Sequence, residues 1–386
     1  MRYLSAHYVF PVSSPPIRNG IVCMNDDGCI VDVFDSGGKL DEREGLEFYN
    51  GILVPGFVNA HCHLELSHLR KEIKPHGGLS GFITSIGNLR KASCETVFDA
   101  AISADEEMTG NGIVATGDIS NNAGTFAIKS NSHIRYHTFV EVFGLDGNRA
   151  KEIFDAAQRA KQEYDNAGMS ASLAPHAVYS VSQELWKILH QSYKLSPPKV
   201  ISMHHQESRD EISINHQILN CMREASRCLL VHNTFSTNDD LLKYISNQGR
   251  FYFVLCPGSN LFIQNRLPDL QLFASQKLCG NTCLGTDSLA SNTSLSILEE
   301  MKIIQQHAPE IPLEMLLRWA TINGARALGF ERLLGSFEKE KNPGINLITG
   351  IDFEKMRFTG NSAVKTLVQA VWKKNFIQQT GKNTEK

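Results

Sequence analysis

The sequence of 386 residues lacks several features that mark particular protein classes. No apolar run approaches the roughly 18–20 residues of a membrane-spanning helix. Positive charge is not in excess, since 38 Lys and Arg stand against 41 Asp and Glu, so no nucleic-acid or membrane partner is indicated. Residues 1–12 have no apolar run with a cleavage site, so we expect no signal peptide and a cytoplasmic location. The nine cysteines form no Cys-x-x-Cys pair, which fits reduced thiols.

The sequence also has no Gly-x-Gly-x-x-Gly after a first strand, which argues against the alternative of an open doubly wound sheet. Short apolar runs instead alternate with helical patterns. This alternation predicts parallel strands, because each crossover needs a helix to cover the sheet, and about eight such units close a barrel. We therefore predict an α/β fold, a (β/α)8 TIM-like barrel over residues 51–340. Its strands are expected at residues 52–63, 112–119, 134–143, 169–176, 199–205, 228–233, 250–256 and 281–287.

The two ends of the chain have a different pattern. Residues 1–50 contain short alternating runs broken by turn residues, which predict antiparallel hairpins. Residues 345–351 and 363–372 again look strand-like. Because chain ends often meet in space, we predict one small β-sandwich domain built from residues 1–50 plus 341–386. Two unrelated appendages are the alternative.

The segment that ends in His61-Cys62-His63 carries the strongest chemical signal. Alternate side chains of a strand share a face, so His61 and His63 point to one side and Cys62 to the other. Catalytic groups of a barrel gather at the C-terminal ends of its strands, where two such imidazoles can bind one metal ion. Two ordinary histidines at a strand end are the alternative.

Two later strands supply further candidate ligands. Alternation along residues 200–205 places His204 on the inward face and leaves the adjacent His205 packed against other groups. Asp287 ends the last predicted strand, where a carboxylate can bind a metal ion; a helix N-cap is the alternative. Three imidazoles and one carboxylate suit one divalent ion, Zn²⁺ or Fe²⁺, with room for a water. Residues 169–176 contain no lysine, which favours one ion over two.

Three more side chains are candidates for catalysis or substrate binding. Glu207 follows the strand of His204, close enough to meet a water at the ion, with a solvated loop carboxylate as the alternative. His232 ends another strand and would orient that water, and His176 ends the fourth strand and would hold substrate; a buried core histidine is the alternative for each. Loops at residues 71–87 and 260–268 are expected to shape the pocket.

These residues, in this order, resemble the amidohydrolase superfamily and, within it, the mononuclear deaminase and chlorohydrolase branch. The resemblance implies the same four metal ligands, with Glu207 as proton shuttle, His232 beside the water and His176 near the substrate. The matching segments are Pro-Gly-Phe-Val-Asn-Ala-His-Cys-His (55–63), Ala-Pro-His (174–176), His-His-Gln-Glu (204–207), Val-His (231–232), Cys-Pro-Gly-Ser-Asn (256–260), Leu-Gly-Thr-Asp-Ser (284–288) and Ala-Thr-Ile-Asn-Gly-Ala (320–325).

Within this branch, His63-Leu64-Glu65 and residues 284–291 look most like aminodeoxyfutalosine deaminases. By that analogy Glu65 would contact the substrate base. Glu141 is a weaker candidate for the pocket wall, where a buried carboxylate needs a partner. Residues 341–345 differ from the corresponding segment of these relatives. They lie in the predicted terminal domain, so the difference affects the subfamily assignment and not the predicted metal-dependent chemistry.

The resemblance implies hydrolytic deamination of a small molecule, an aminopurine-type nucleoside such as 6-aminodeoxyfutalosine. Two alternatives from other classes remain: hydrolysis of another C–N or C–Cl bond, including cyclic amides and imines, and a non-catalytic scaffold. All four ligands and Glu207 are present, which argues against the scaffold. The oligomeric state is left open, with a homodimer as one option.

Overall fold

The computed structural model describes residues 1–39, 43–89, 91–211, 216–245 and 250–371. Its strands form two parallel sheets of four strands each and one sheet of seven strands. The strands are β1 (Arg2–Val9), β2 (Ile17–Arg18), β3 (Ile21–Met24), β4 (Ile30–Phe34), β5 (Leu46–Pro55), β6 (Phe57–Cys62), β7 (Ile113–Ser120), β8 (Arg135–Val142), β9 (Ser170–Pro175), β10 (Val200–His205), β11 (Arg227–His232), β12 (Phe251–Leu255), β13 (Thr282–Leu284), β14 (Ile345–Asp352) and β15 (Arg357–Val368).

Helices alternate with the parallel strands, as the sequence pattern predicted. Among the described residues, none of them combines the length and apolar character needed to cross a membrane. The helices are α1 (Gly78–Leu89), α2 (Cys94–Gly110), α3 (Phe126–Asn131), α4 (Ala150–Asn166), α5 (Gln183–Leu195), α6 (His216–Met222), α7 (Asn238–Ile245), α8 (Pro257–Gln264), α9 (Leu270–Ala274), α10 (Ile297–His307), α11 (Leu313–Arg318) and α12 (Gly324–Leu328).

The two parallel sheets have the strand orders β6-β7-β8-β9 and β10-β11-β12-β13. Every residue of β7 and of β10 is buried, as expected for parallel strands that are covered on both faces. The main core lies between these strands and the helices and includes Phe57, Phe253 and Trp319. Strand order is sequential in both sheets, without the reversal of a doubly wound sheet. The predicted α/β fold with parallel strands is confirmed.

Backbone hydrogen bonds link the two parallel sheets at both pairs of edge strands. The His204 N–H of β10 donates to the His176 carbonyl oxygen, just after β9, at 2.9 Å. After β13, the N–H groups of Thr286 and Asp287 donate to the His61 carbonyl oxygen of β6 at 3.0 and 3.1 Å. These links lie at the C-terminal ends of the strands, where the candidate site residues are.

The predicted first strand, residues 52–63, is in fact two strands in two different sheets. β5 ends at Pro55 in the terminal sheet, and β6 begins at Phe57 in a parallel sheet. The chain crosses between them at Gly56, where a Cβ atom would lie 2.6 Å from the Pro343 carbonyl oxygen. The apolar run continues across both strands because both are buried there. Hydrophobic periodicity therefore could not separate them.

The seven-stranded sheet contains strands from both ends of the chain, in the order β15-β14-β5-β1-β3-β4, with β2 on β1. β5 lies parallel to β1 and antiparallel to β14, so it joins the two ends. Leu4, Val22, Leu53 and Leu347 pack in its core. The described residues form one sheet, so a sandwich is not confirmed. Residues 372–386 of the predicted terminal domain lie outside the described residues, and the domain division stays a prediction.

The expectation of loops at residues 71–87 and 260–268 is partly wrong, because α1 and α8 occupy much of them. α1 carries Leu79, Phe82, Ile83 and Ile86 at the i, i+3, i+4, i+7 spacing of a helix face. Several glycines within and before this segment obscured the signal, since glycine disfavours helix interiors.

Candidate metal centre

Four side chains predicted as ligands converge at the C-terminal ends of the parallel strands. His63 Nε2 lies 3.1 Å from His61 Nε2 and 3.3 Å from His204 Nε2. Asp287 Oδ1 lies 3.4 Å from His63 Nε2 and 3.6 Å from His61 Nε2. All four residues are buried. Three segments that are distant in the sequence thus place their donor atoms around one point.

This spacing fits one divalent cation. Zinc bonds to nitrogen and oxygen ligands are about 2.0–2.2 Å long, so neighbouring ligand atoms of a tetrahedral site lie about 3.3–3.6 Å apart. His204 Nδ1 lies 3.0 Å from the His176 carbonyl oxygen and donates to it, which leaves the Nε2 lone pair directed at the centre. Nitrogen lone pairs this close repel each other unless a proton or a cation lies between them. The donor set accepts Zn²⁺ and Fe²⁺ alike.

Asp287 is held in place through its Oδ2 atom and by its backbone conformation. Its Oδ2 accepts hydrogen bonds from Ser259 Oγ and Ser291 Oγ, each at 2.6 Å, so Oδ1 faces the histidines. Its φ of 57° lies in the left-handed region, which non-glycine residues rarely adopt. Burial raises the pKa of Asp287, but the nearby imidazoles of His61 and His63 outweigh it and hold the pKa well below its usual range.

A second contact between β6 and the segment after β13 positions Asp287 beside His61. Asn59 in β6 and Thr286 hydrogen-bond reciprocally, and Gly285 lets the chains approach, since a Cβ there would lie 2.8 Å from His61 Cβ. Sequence reasoning assigned no role to these three residues. They do lie inside two of the segments that carry the family resemblance, and that position is the signal that could have identified them.

The neighbouring histidines of β10 have different surroundings. His205 is buried, with Nδ1 2.9 Å from Asn233 Oδ1 and Nε2 3.2 Å from the Tyr244 hydroxyl. Burial lowers the pKa of His205 to about 4, so it is neutral at physiological pH. Of these two histidines, only His204 reaches the candidate metal centre, which agrees with the alternation of side-chain directions along a strand.

His232 and Glu207 form a pair beside the four candidate ligands. His232 Nδ1 lies 3.0 Å from Asn260 Oδ1 and donates to it, while Nε2 lies 3.7 Å from Glu207 Oε1. Burial raises the pKa of Glu207. Burial lowers the pKa of His232, but the charges of Glu207 and Asp287 outweigh it and raise the pKa overall. Both shifts favour the protonated form of each group, so this buried pair is a candidate for proton transfer.

A cavity of about 270 Å³ opens onto these groups. His176 lines it and is oriented by Ser180, whose Oγ lies 2.8 Å from His176 Nδ1. The opposite wall is the apolar face of α1, which sequence reasoning had placed in a loop. The cavity is lined by His63, Leu66, Leu79, Phe82, Ile83, Ile86, Gly87, Glu141, Phe143, His176, Tyr179, Ser180, His204, Glu207, His232, Asp287 and Ser288.

Glu65 and Glu141 are connected through one asparagine. Glu65 Oε2 accepts the Asn121 N–H at 3.0 Å, and Asn121 Nδ2 donates to Glu141 Oε2 at 2.8 Å. Of the two carboxylates, Glu141 lines the cavity, with Oε1 3.8 Å from His204 Nδ1. Among the described residues Glu65 is not part of the cavity wall, and its contact with a substrate base stays a prediction.

Comparison with known proteins gives the class of this chain. The sequence pattern of the amidohydrolase family matches residues 52–381. The 5-methylthioadenosine/S-adenosylhomocysteine deaminase of Saccharophagus degradans is 26% identical over 412 residues, which covers 96% of this chain and 89% of the relative. The chain therefore belongs to the amidohydrolase family, and the predicted resemblance is confirmed.

Solved structures share the fold. The Helicobacter pylori aminofutalosine deaminase in complex with methylthio-coformycin superposes with a TM-score of 0.74 at 24% identity, over 90% of this chain and 92% of that chain. A zinc-bound adenosine deaminase from Xanthomonas campestris gives a TM-score of 0.71 at 22% identity, over 92% and 85% of the chains. Family membership and the names of these deaminases support a hydrolytic deaminase as the class of enzyme.

Proposed function

We propose that this chain is a metal-dependent hydrolytic deaminase of an adenosine-like nucleoside. The convergence of three imidazoles and one carboxylate beside the His232–Glu207 pair carries the proposal. The names of the relatives support the substrate class, because adenosine, 5-methylthioadenosine and S-adenosylhomocysteine all contain an adenine base. 6-Aminodeoxyfutalosine is a candidate, supported by the aminofutalosine deaminase.

We further propose that the eight parallel strands close into a barrel. The hydrogen bonds between β9 and β10 and between β13 and β6 support this proposal. Closure matters for the site, because it brings the C-terminal ends of β6, β10, β11 and β13 to one rim, where barrel enzymes hold their catalytic groups.

In this proposal His61, His63, His204 and Asp287 hold one divalent ion, Zn²⁺ or Fe²⁺. When bound, such an ion supplies Lewis-acid activation of a water molecule. Asp287 and His232 orient the attacking water toward the base carbon that carries the amine. Glu207 takes one proton from this water and delivers it to the ring nitrogen, and it then transfers the second proton, from the newly added hydroxyl, to the amine, which leaves as ammonia. Proton transfer of this kind contributes about 10²–10⁴-fold to the rate.

The remaining cavity residues act on the substrate. Glu141 of β8 and His176, just after β9, line the cavity, where they would contact the base. Glu65, which is joined to Glu141 through Asn121, is a further candidate for contact with the base. The apolar face of α1 excludes water from the opposite side. Exclusion of water strengthens the electrostatic interactions within the site.

The test is ammonia release from a panel of compounds by the metal-loaded chain. We expect turnover of at least one of adenosine, 5-methylthioadenosine, S-adenosylhomocysteine and 6-aminodeoxyfutalosine, and none of a chlorotriazine or a lactam. The Glu207→Gln variant should lose this activity, and Glu163→Gln, at an exposed carboxylate on α4, should retain it. Ammonia release from no purine compound would reject the proposed substrate class.

A further inference from the structure

Two arginines flank one phenyl ring near the catalytic cavity. The Cζ atoms of Arg209 and Arg266 lie 5.7 and 5.1 Å from the ring centroid of Phe235. Both arginines are exposed and Phe235 is half-buried. Stacking on an aromatic ring orients a guanidinium group and leaves its N–H donors free to bind other groups. Within the described residues, neither guanidinium has a hydrogen-bond or ion-pair partner.

The three residues lie on loops at the catalytic end of the strands. Arg209 follows Glu207 on the loop after β10. Phe235 lies on the loop after β11, and its N–H donates to the Gln206 carbonyl oxygen at 2.9 Å. Arg266 follows α8, which itself follows β12. Three neighbouring strands thus carry both the candidate catalytic groups and the arginine cluster on one side of the molecule.

One side chain borders both the open space beside the cluster and the catalytic cavity. Arg209, Phe235 and Arg266 line two open cavities of about 560 and 550 Å³. Leu79 of α1 lines the second of these and also the catalytic cavity. The catalytic cavity alone, about 270 Å³, is small for a ligand site, since such pockets typically measure about 300–1,000 Å³. Leu79 therefore marks the side on which a substrate longer than this cavity would approach the two guanidinium groups.

Two acidic side chains near the cluster form no ion pair with it among the described residues. Asp269 lines the first cavity, but its Oδ1 caps α9 by accepting the N–H groups of Gln271 and Leu272 at 3.1 and 3.2 Å. Asp210 lines the second cavity and forms no ion pair with either guanidinium within the described part of the chain. Two adjacent guanidinium groups that form no ion pair among the described residues favour an anionic ligand.

We propose that Arg209, Phe235 and Arg266 form a subsite for an anionic group, a carboxylate or a phosphate, on the part of the substrate distant from the base. The planar donor fork of arginine matches both groups. This inference rests on the proposed function and extends it: the preferred substrate is an adenosine-like nucleoside whose 5′ substituent carries negative charge. The subsite acts on binding, so its removal affects KM rather than kcat.

The test uses the metal-loaded full chain and matched pairs of ligands. The pairs are 5′-deoxy-5′-(carboxyalkylthio)adenosines with one to four methylene groups and their neutral methyl esters, with adenosine and adenosine 5′-monophosphate as further probes. We expect the kcat/KM of the best carboxylate to exceed that of its ester about tenfold or more, and this preference to fall as NaCl screens the charges. A preference for the monophosphate instead would assign phosphate as the anion.

Arg209→Gln and Arg266→Gln should each lower the kcat/KM of the preferred anion about 10–100-fold through KM, the effect of one lost charged hydrogen bond. The neutral ester and adenosine should change less than about threefold, within the range of surface substitutions. Arg159→Gln, an exposed arginine on α4, is the matched control and should change neither. Equal turnover of acid and ester, or equal losses for both in the variants, would overturn the subsite.

Calorimetric titration of the same carboxylate and ester separates this inference from the proposed function. If no compound is deaminated but the carboxylate binds more tightly than the ester, and both arginine variants abolish the difference, the proposed function fails and the subsite stands. Equal binding of acid and ester to the wild type rejects the subsite, whatever the activity.

Discussion

Asn59 and Thr286 hydrogen-bond to each other twice, although they belong to the first and the last strand region of the parallel sheets. The Thr286 N–H donates to Asn59 Oδ1 at 3.0 Å, and Asn59 Nδ2 donates to Thr286 Oγ1 at 2.7 Å. Both side chains are fully buried. Because Asp287 follows Thr286 directly, this pair sets the distance between the carboxylate and His61 of β6.

Asn59→Ala should lower the free energy of unfolding by about 1–3 kcal/mol, because it removes two buried hydrogen bonds to Thr286. Metal content should fall as well, because Asp287 loses its anchor. Urea unfolding and metal analysis measure the two effects. Thr286→Ser is the control, since it keeps both hydrogen bonds and should stay within about 1 kcal/mol of the wild type. Wild-type stability and metal content in Asn59→Ala would contradict this role.

Each single alanine variant at position 61, 63, 204 or 287 should reduce the bound metal from about one ion per chain toward zero, because the loss of one ligand leaves an incomplete set. Mass spectrometry of the metal after dialysis gives the ratio directly. His205→Gln is the matched control, because His205 is next to His204 but contacts Asn233 and Tyr244 instead. Full metal content in any of the four alanine variants would remove that residue from the proposed ligand set.

Glu207→Gln should lower kcat about 10²–10⁴-fold, because the amide cannot accept and return a proton. Metal content and thermal stability should stay near those of the wild type, since Glu207 is not among the proposed ligands. Steady-state kinetics on the active nucleoside, beside metal analysis, checks both. Unchanged kcat in this variant would show that another group moves the proton.

Glu211 makes stability depend on pH. Burial raises the pKa of Glu211 from 4.5 to about 7. Between these values the folded chain keeps a proton that the unfolded chain has lost, so the contribution of Glu211 is complete below about pH 4.5 and is lost as the pH rises through 7. Relative to Glu211→Gln, the wild type should lose on the order of 3 kcal/mol of unfolding free energy over this window.

Urea unfolding of the wild type and of Glu211→Gln at pH 4.5, 6 and 8 measures this difference. The glutamine can still accept the Glu207 N–H that Glu211 Oε2 accepts at 2.9 Å. Titration of the other groups cancels in the comparison. Two pH profiles that run parallel would show that the carboxyl group does not hold a proton in the folded chain.

Asp118 and Lys129 form an ion pair with no solvent exposure, at 2.5 Å, and Asp118 Oδ1 also accepts the Leu64 N–H, directly after His63. Lys129→Met should destabilise the chain by about 3–5 kcal/mol, because it leaves a buried carboxylate uncompensated. The double variant Asp118→Asn, Lys129→Met should lose less than the sum of the single variants. Strict additivity in urea unfolding would mean that the two charges do not interact.

Several features of the fold and site follow from local patterns. A strand turns every second side chain to the same face, so His61 paired with His63, and His204 was separated from His205, without coordinates. Other features do not follow. The run at residues 52–63 is apolar throughout, and its division at Gly56 depends on contacts with Val114 and Pro343, which are distant in the sequence.

The sequence alone predicts which groups are metal donors, that they lie at strand ends, and the order of strands and helices. These are local properties of the chain. Three contacts are not local in the sequence. They join Asp287 to His61, Asn59 to Thr286, and Arg209 to Arg266 across Phe235. These contacts arise when segments far apart along the chain pack together. Spacing in the sequence contains no measure of that distance, because it depends on how the strands lie in the sheets.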